Sequence, residues 1–480
     1  MSAIIDFGNI NWGPDEAKGD NQLHSYFYKI PDYDKLISGN KRYVIGRKGT
    51  GKTAVLENIR LEAISNPVWF SKDLTLREFP ISDLRSFANK SMQDKSKYVN
   101  IWTFMILVEL AKLCCEDEGN KDLDSYVALR EFLKQNFPSS IGGFRDTIET
   151  LKKTEAKLSV LKGFIERQKT SEEKIVVEVH YSKVIETLKA LLKDVKTESI
   201  YFLLFDELDE GYQAGDSNKK LLLLALFRSI ENLTIFFKSH TKLKFCPILA
   251  LRSDIFDNLE DNDLNKLDDY VVRLNWQSYD KNGYSLKELL NTRIRASLQV
   301  NDSIDPWDYV VKDSDNSIPF KNKSLFKYFT NRTFDRPRDI IKFLKLCSKF
   351  HDSGKLQYKT ASKAETSYSD WLYRELRDEI QSHLKIWKPC LGVIQKIGKG
   401  NLELKELKDG LLKESECLEH FKEKKIDVDD LVEILFDFGI IGNIDSNGRW
   451  IFKYKDFDNR FNNSKRIIIH LGLGKKLSLR

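Results

Sequence analysis

Short apolar runs recur through the first half of the chain and predict buried β-strands. Such runs cover residues 43–45, 201–205, 243–256 and 270–274, and a further strand is predicted within 69–81. Segments with apolar residues at three- and four-residue steps, such as 53–64, predict helices between the strands. Strands that alternate with helices indicate a doubly wound, mostly parallel sheet, so we expect an α/β fold.

The interval 66–198 is too long for one crossover between strands and therefore predicts an insertion. A strand and a buried helix at 98–114 are assigned to the core. Residues 147–169 and 181–196 have amphipathic helical spacing, with lysine and glutamate between the apolar positions. We place a helical insertion at about 116–198, where a solvated helical hairpin is slightly favoured over an arm that binds a partner.

The remaining chain predicts two further modules after a core domain at 1–275. Helical patterns indicate a lid at 276–350, followed by a polar linker at 351–367. The last module, 368–480, has helical patterns followed by alternating residues around a turn at Asp445–Gly448. Its three helices are predicted at 370–397, 402–415 and 427–438. Three helices and a hairpin indicate a winged-helix-like domain with a basic tail.

Composition and charge restrict the class of protein only slightly. Of 480 residues, 41% are hydrophobic and 31% are charged, and 78 basic residues against 72 acidic ones leave a net charge of +6. This balance does not require a nucleic-acid partner. The six cysteines form no CxxC pair, and neither a secretion signal nor a run of 18 apolar residues is present. We therefore expect a reduced, cytoplasmic protein without membrane association.

The turn after the first strand carries the strongest chemical signal. Its sequence, GRKGTGKT, matches G-x-x-x-x-G-K-[ST], the Walker A or P-loop pattern, between a predicted strand and a helix. Glycines let successive N–H groups surround an anion, and the helix N-terminus adds positive charge. Lys52 is expected to reach the β- and γ-phosphates, and Thr53 to bind Mg²⁺. The predicted ATP-binding residues are Gly46, Arg47, Lys48, Gly49, Thr50, Gly51, Lys52, Thr53 and Ala54.

The apolar run at 201–205 ends in the acidic sequence DELDE. Asp206 occupies the Walker B position, where a carboxylate holds the Mg²⁺ shell. Glu207 is the predicted general base for the attacking water, and Asp209 remains an alternative base or metal-shell residue. The alternative is an acidic loop at a strand end that faces solvent.

Two arginines are predicted to sense the γ-phosphate. Arg252 ends the strand in 243–256, and its planar guanidinium suits bidentate phosphate binding, although a surface cap is the alternative. In the sequence DRPRD, Asp335 is expected to cap a helix with Pro337 in its first turn. Arg336 and Arg338 then lie at a helix N-terminus, which disfavours cations. Arg338 is the preferred second sensor, against a structural ion pair.

Together, GRKGTGKT, YFLLFDELDE, PILALRSD and DRPRDIIKFL resemble the AAA+/STAND division of P-loop NTPases. More narrowly, GPDEAKGDNQLHSYFYKIPDY, LRSDIFDNL and FKYKDFDNRF resemble a family of bacterial P-loop ATPases with members near phage-defence genes. The resemblance implies ATP rather than GTP as substrate, assembly into a homo-oligomer and a separate protein effector in antiviral defence. The interval between the Walker motifs is longer than in ordinary AAA+ proteins.

These features lead to three hypotheses. The first is a Mg²⁺-dependent ATPase switch in which Lys52, Asp206, Glu207, Arg252 and Arg338 act on ATP bound between core and lid. The second is an initiator-like ATPase that binds nucleic acid through its basic tail. The residues concerned are Lys465, Arg466, Lys475, Lys476 and Arg480, although a solvated tail is equally expected. The third is a nucleotide-bound scaffold that hardly hydrolyses. Candidates for an arginine acting in a neighbouring subunit are Arg273, Arg293 and Arg295.

Overall fold

The computed structural model describes most of the chain, which forms two compact units. It covers residues 6–75, 95–121, 123–136, 175–210, 212, 216–259, 264–277, 283–301, 303–319, 323–456 and 458–480, with the side chains of 95–97, 135–136 and 175–183 left aside. The sheet unit comprises Asp32–Arg47 and Lys52–Leu274. The helical unit comprises Met1–Pro31, Lys48–Gly51 and Asn275–Arg480.

Strands occur in both units. They are β1 (Tyr43–Gly46), β2 (Trp69–Thr75), β3 (Ile200–Asp206), β4 (Lys244–Arg252), β5 (Val271–Arg273), β6 (Asn401–Leu402), β7 (Ile441–Ile444), β8 (Trp450–Ile451) and β9 (Ile467–Ile469). The first five belong to the sheet unit and the other four to the helical unit.

Helices make up most of the remaining described chain. They are α1 (Leu23–Tyr26), α2 (Tyr33–Ile37), α3 (Lys52–Ser65), α4 (Lys95–Glu116), α5 (Asp124–Asn136), α6 (Ile175–Lys193), α7 (Ser217–His240), α8 (Ser253–Phe256), α9 (Leu286–Leu298), α10 (Pro306–Val310), α11 (Leu325–Thr330), α12 (Pro337–Ser348), α13 (Tyr358–Ile380), α14 (Trp387–Ile397), α15 (Leu404–Leu411), α16 (Ser415–Lys424) and α17 (Val428–Asp437). Single 3₁₀ turns lie at Phe7–Asn9, Glu118–Asn120, Lys453–Lys455 and Leu471–Leu473, and a longer 3₁₀ segment at Leu264–Tyr270.

The sheet unit contains a fully parallel five-stranded sheet in the order β2-β3-β4-β1-β5. Its central strands are buried because both of their faces carry apolar side chains, as parallel sheets require. This confirms the predicted α/β class and the predicted strands. All strands run in one direction, so β1, β3 and β4 end at the same edge of the sheet. Gly46 pairs with Arg252 in register there.

Helix α4 supplies much of the core of the sheet unit. It packs against α5, α6 and α7, and its fully buried Trp102 donates a hydrogen bond from the indole N–H to the carbonyl of Leu222. By length and composition alone, the segment Tyr98–Glu116 passes as a membrane span, and 78% of its apolar window is buried inside the protein. Packing within the unit accounts for its apolar character.

The predicted insertion is described only in part. Helices α5 and α6 lie within it, and α6 covers much of the helical pattern expected at 181–196. The helix expected at 147–169 lies outside the described residues.

In the helical unit, the N-terminal segment is held against two helices that follow it by more than 250 positions. Asp15 forms ion pairs with Lys342 and Lys345 of α12, both at 2.6 Å. Arg293 of α9 donates to the carbonyl of Trp12 at 2.6 Å. Residues 6–31 are therefore a structural part of this unit.

The expected polar linker at 351–367 is wrong over most of its length. Helix α13 begins at Tyr358 and continues to Ile380. Tyr368, in the middle of this helix, stacks on Phe343 of α12 with ring centroids 4.2 Å apart. The helix is stable because its buried face packs on α12.

The C-terminal part combines α14–α17 with a small antiparallel sheet in the order β6-β9-β7-β8. The predicted hairpin around Asp445–Gly448 is present as β7 and β8. The helix expected at 402–415 is α15 alone, and α16 follows as a separate helix. Strand β9 lies between β6 and β7, so the tail beyond residue 456 completes the sheet.

Candidate functional site

The candidate site in the sheet unit lies where β1, β3 and β4 end. Helix α3 begins at Lys52, directly after the glycine-rich loop, which we define as residues 46–53. Asp206 ends β3 and Arg252 ends β4. In open α/β sheets the carboxyl ends of the strands are where ligands bind. The fold thus brings the residues predicted from three separate stretches of sequence to one edge.

Lys52 is held inside the loop by the backbone. Its Nζ donates to the carbonyl oxygens of Gly46 at 2.9 Å and Arg47 at 3.0 Å. Burial lowers the pKa of Lys52 to about 8, against the opposing effect of the Asp209 and Asp206 carboxylates. A bound anion would favour the charged ammonium, because it would offset this desolvation.

Thr53 and Asp206 place two oxygen atoms together. The Thr53 hydroxyl is hydrogen-bonded to Asp206, while burial raises the pKa of Asp206 overall. Asp206 Oδ1 also accepts the N–H of Glu207 at 2.9 Å. Among the described residues, no cluster of three or more His, Cys, Asp or Glu side chains is suited to a metal. A hydroxyl and a carboxylate are oxygen donors of the kind that Mg²⁺ takes, since it is usually bound by only one or two carboxylates of a protein.

Glu207 has an unusual backbone conformation. Its φ is 56°, in the left-handed region that non-glycine residues seldom occupy. Its Oε2 accepts a hydrogen bond from the Thr75 hydroxyl at 2.6 Å, from the end of the neighbouring strand β2. The carboxylate of Glu207 is therefore held towards β2. Strain at one residue of a site is a common mark of function.

Asp209 and Asp254 both contact Arg252. Asp254 forms a bidentate pair with it, at 2.9 Å to Nε and 2.7 Å to Nη2, while Asp209 lies 3.6 Å from Nη1. The two candidate bases therefore have different neighbours: Asp209 lies beside Arg252, whereas Glu207 is hydrogen-bonded to Thr75. The Arg252 side chain is 13% exposed, so it is not a solvated surface cap.

In the helical unit, three successive carbonyl groups of the loop are hydrogen-bonded. The carbonyl of Lys48 accepts from Arg336 Nη1 at 2.9 Å, and that of Gly49 accepts from the N–H of Arg338 at 3.3 Å. The carbonyl of Thr50 accepts from Trp276 Nε1 at 2.8 Å. In a trans peptide the N–H points opposite to the C=O. The next N–H groups are therefore turned away from these donors, as in an anion-binding nest.

Two features of the structure require glycine at position 49: its backbone conformation and the closeness of Arg338. Its φ is +82°, and a Cβ there would lie 3.1 Å from the Cβ of Arg338. Gly51 has φ +96° with open space around it. The glycines of this loop therefore allow the turn, and Gly49 also allows the close approach of α12.

Asp335 does not cap α12, contrary to expectation. The N-cap position is Arg336, and no side chain caps the helix. Asp335 itself has φ 50° and is buried, and its Oδ1 has no hydrogen-bond partner among the described residues. Burial raises the pKa of Asp335 to about 6, against the attraction of Lys455 and Lys327.

Arg336 and Arg338 have different surroundings. Arg336 is 1% exposed and pairs with Asp339 and Glu379, which offset its position at a helix N-terminus. The Arg338 side chain is 30% exposed and contacts Glu375 at 3.4 Å. Arg336 is thus a buried structural cation, and Arg338 is the more accessible of the two.

Four of the other predicted cations have partners inside their own units. Arg273 pairs with Asp257 at 3.0 Å, and Arg293 lies over the Tyr26 ring, 4.4 Å from its centroid. In the tail, Arg466 pairs with Glu403 and Lys476 with Asp370. These contacts leave the nucleic-acid hypothesis and the choice of a trans-acting arginine as predictions.

Sequence reasoning missed four residues that contact the predicted site residues or the glycine-rich loop. They are Thr75, Asp254, Trp276 and Glu375. Asp254 follows Arg252 closely enough for the sequence LRSD to have suggested it. Thr75 and Trp276 contact residues more than 100 positions away, and Glu375 contacts Arg338 on another helix, so no local pattern marks them.

Comparison with known proteins finds a similarity for one part of the helical unit. A search of curated proteins found no significant match. Residues 284–377 match the family described as FunZ-associated C-terminal helical domain. The match covers α9 to α12 and most of α13, and includes Arg336, Arg338 and Glu375. This part of the chain is therefore similar to a helical domain associated with FunZ.

Proposed function

We propose that this protein is a Mg²⁺-dependent ATPase that works as a molecular switch. The observation that carries the proposal is the convergence of Lys52, the Thr53–Asp206 pair, Glu207 and Arg252 at one edge of a parallel sheet. Each has the chemistry that phosphoryl transfer needs: a cation, a pair of metal-binding oxygens, a base and a second cation.

Nucleotide binding would use the loop and Lys52. The N–H groups that follow the hydrogen-bonded carbonyls of Lys48, Gly49 and Thr50 supply donors to phosphate oxygens. Lys52 adds a positive charge near the β- and γ-phosphates. Thr53 and Asp206 would hold Mg²⁺, which would neutralise the negative charge that develops during phosphoryl transfer.

For hydrolysis, Glu207 is the proposed general base. Water attacks the γ-phosphorus, its proton passes to the Glu207 carboxylate, and the bond to the β–γ bridging oxygen breaks to leave ADP and inorganic phosphate. Arg252, which pairs with Asp254, would bind oxygens of the transferring phosphoryl group. Asp209 is the second choice of base if Glu207 proves dispensable.

The switch itself would act through the partners of the loop. Because the loop carbonyls are hydrogen-bonded by Arg336, Arg338 and Trp276, a change at the loop is felt by α12 and by the residues that precede α9. We propose that this drives homo-oligomer assembly or contact with a separate effector protein. The P-loop and winged-helix assignments, which rest on sequence patterns, and a role in bacterial antiviral defence, which rests on resemblance, are part of this proposal.

The test compares the wild type with Lys52→Ala and Glu207→Gln. Lys52→Ala should weaken ATP binding, whereas Glu207→Gln should bind ATP and turn it over slowly. Hydrolysis is measured across protein concentration, with ATP and GTP, beside mass photometry in ATP and in ADP. A rate that rises with concentration supports the assembling switch. A wild type that binds no nucleotide rejects the proposal, and undiminished hydrolysis by Glu207→Gln moves the base role to Asp209.

The nucleic-acid hypothesis stays a prediction, and its test has to leave the fold of the tail intact. Truncation after Asp456 would remove β9 from the middle of its sheet, so it would report on folding as well as on binding. Reversing the charge of the exposed residues Lys475 and Arg480 is the cleaner experiment, with salt-dependent binding of DNA or RNA as the readout.

A further inference from the structure

One carboxylate oxygen in the helical unit is shared by two cations at the glycine-rich loop. Glu375 Oε2 lies 3.5 Å from Lys48 Nζ and 3.4 Å from Arg338 Nη1. Lys48 belongs to the loop, Arg338 to the first turn of α12, and Glu375 to α13. Asp378, one turn further along α13, lies 3.9 Å from Lys48 Nζ.

These contacts are looser than well-formed charge-assisted hydrogen bonds. Such bonds measure about 2.7–2.9 Å, and both Glu375 contacts are longer. The side chains of Lys48 and Arg338 are 29% and 30% exposed, so an incoming ligand can reach them. Pairs of this kind contribute little stability and exchange partners readily.

The two cations also need an anion. They lie near each other, and Arg338 is at a helix N-terminus, where the macrodipole disfavours positive charge. Glu375 supplies one negative charge to both cations, and Asp378 supplies a second, more distant one to Lys48. A polyphosphate carries more charge and several oxygens, and Arg in particular binds it bidentately, so it is the stronger partner for the same two side chains.

Glu375 is kept close to the loop by its neighbour on α13. Glu379, one turn away on the same helix, forms a buried pair with Arg336, which in turn donates to the carbonyl of Lys48 at 2.9 Å. The contacts of Arg336 with Glu379 and with Lys48 do not involve Glu375. They therefore persist when Glu375 dissociates from the two cations, and its carboxylate stays at high effective concentration beside them.

We propose that Glu375 competes with the phosphate groups of the nucleotide for Lys48 and Arg338 and so lowers nucleotide affinity. The inference rests on the nucleotide site proposed above. Glu375 is then an affinity-determining residue, and its displacement from the loop accompanies nucleotide binding. The opposite role is a positioning residue that holds both cations ready for phosphate, in which case its removal weakens binding.

The experiment measures the Kd of the full-length protein for the slowly hydrolysed analogue AMP-PNP with Mg²⁺, by isothermal titration calorimetry. Glu375→Gln should bind the analogue roughly two- to fivefold more tightly than the wild type, the range expected for loss of one partly exposed ion pair. The gain should shrink as ionic strength rises from about 50 to 300 mM, because salt screens the competing charge.

Asp370→Asn is the matched control. It removes one negative charge from the same helix, where Asp370 pairs with Lys476 at 2.8 Å and does not contact the loop. Its Kd should equal that of the wild type. A tighter Kd cannot result from a misfolded variant, so the expected result is not open to that explanation.

The outcomes separate the two proposals. Equal or weaker binding by Glu375→Gln, with normal binding by the wild type, overturns the competitor role and leaves the nucleotide site standing. A gain that is independent of salt, or that Asp370→Asn reproduces, also overturns it. Failure of the wild type and both variants to bind rejects the nucleotide site and this inference with it.

Discussion

The hydroxyl of Thr75 donates a 2.6 Å hydrogen bond to the carboxylate of Glu207, across the ends of neighbouring strands. The proposed base is therefore engaged with β2 in this conformation. A carboxylate that accepts a strong hydrogen bond is less available to take a proton from water, so Thr75 restrains the base.

Replacing Thr75 with Val removes this donor at nearly the same volume. We expect the kcat of ATP hydrolysis to rise by about two- to fivefold, since the freed carboxylate reaches the attacking water more often. Nucleotide affinity should be unchanged. Steady-state kinetics and calorimetry test both points, and Thr75→Ser is the control that retains the hydroxyl. A fall in kcat would instead mean that Thr75 positions the base.

Asp254 holds Arg252 in its bidentate geometry. Asp254→Asn weakens that hold, and we expect kcat to fall about three- to tenfold while KM changes little, because a sensor that is badly placed affects the transition state most. Asp257→Asn is the matched control, because it makes the same chemical change in an aspartate that pairs with Arg273 instead of Arg252. A rise in KM without a fall in kcat would assign the pair to substrate binding.

Trp276 supports the loop through its indole N–H. Trp276→Phe keeps an aromatic ring but leaves the Thr50 carbonyl without this donor, which costs about 1–3 kcal/mol when a group is buried. We expect ATP affinity to fall about three- to tenfold. Trp307→Phe removes a comparable bond to Asp313 in the same unit. It should lower the Tm without changing ATP affinity, and an equal loss of affinity in both variants would contradict the role of Trp276.

Asp335 should make the helical unit more stable at mildly acidic pH. Its pKa is about 6 in the folded protein, above the usual 3.8. The folded state then binds more protons between these values, so this contribution falls as pH rises from about 4 to 6, by about 3 kcal/mol at most.

Asp335→Asn removes the charge and suits the left-handed φ of 50°. The variant should melt at a higher temperature than the wild type at pH 7, with little difference near pH 4. Lys455, Lys327 and Asp339 face this carboxyl, so their charges also affect its titration. Thermal melts at several pH values provide the measurement, and a wild type that melts higher at pH 7 would show that the attraction of Lys455 and Lys327 outweighs the cost of burial.

The sheet, and the residues that meet at one of its edges, were predictable because the strands depend on local patterns. Apolar runs identify β1, β3 and β4, and residues at their ends meet because the strands are parallel. The contact of Trp276 with Thr50 has no such signal, since it joins residues far apart through one N–H group. The capping prediction for Asp335 was wrong because it considered only the residue type. In the structure Arg336 occupies the N-cap position, and Asp335 is buried, where Lys455 attracts its charge.

The missed part of α13 had a weak signal. Ala361, Ala364, Tyr368 and Leu372 are buried on one face at helical spacing. Alanine is only weakly hydrophobic, so the buried alanines gave little helical signal. The polar residues between them instead suggested a linker. The packing of Tyr368 on Phe343 depends on α12, which lies outside the segment.

The attachment of residues 6–31 to α9 and α12 determines which pieces of the protein can be produced alone. The segment that matches the FunZ-associated helical domain, 284–377, has Lys342, Lys345 and Arg293 bound to Asp15, Gly13 and Trp12. Excised by itself, it would expose the surface that residues 6–31 cover and lose the acidic partner of two lysines. A fragment fit for biophysical work therefore has to include the first thirty residues, fused or supplied as a peptide.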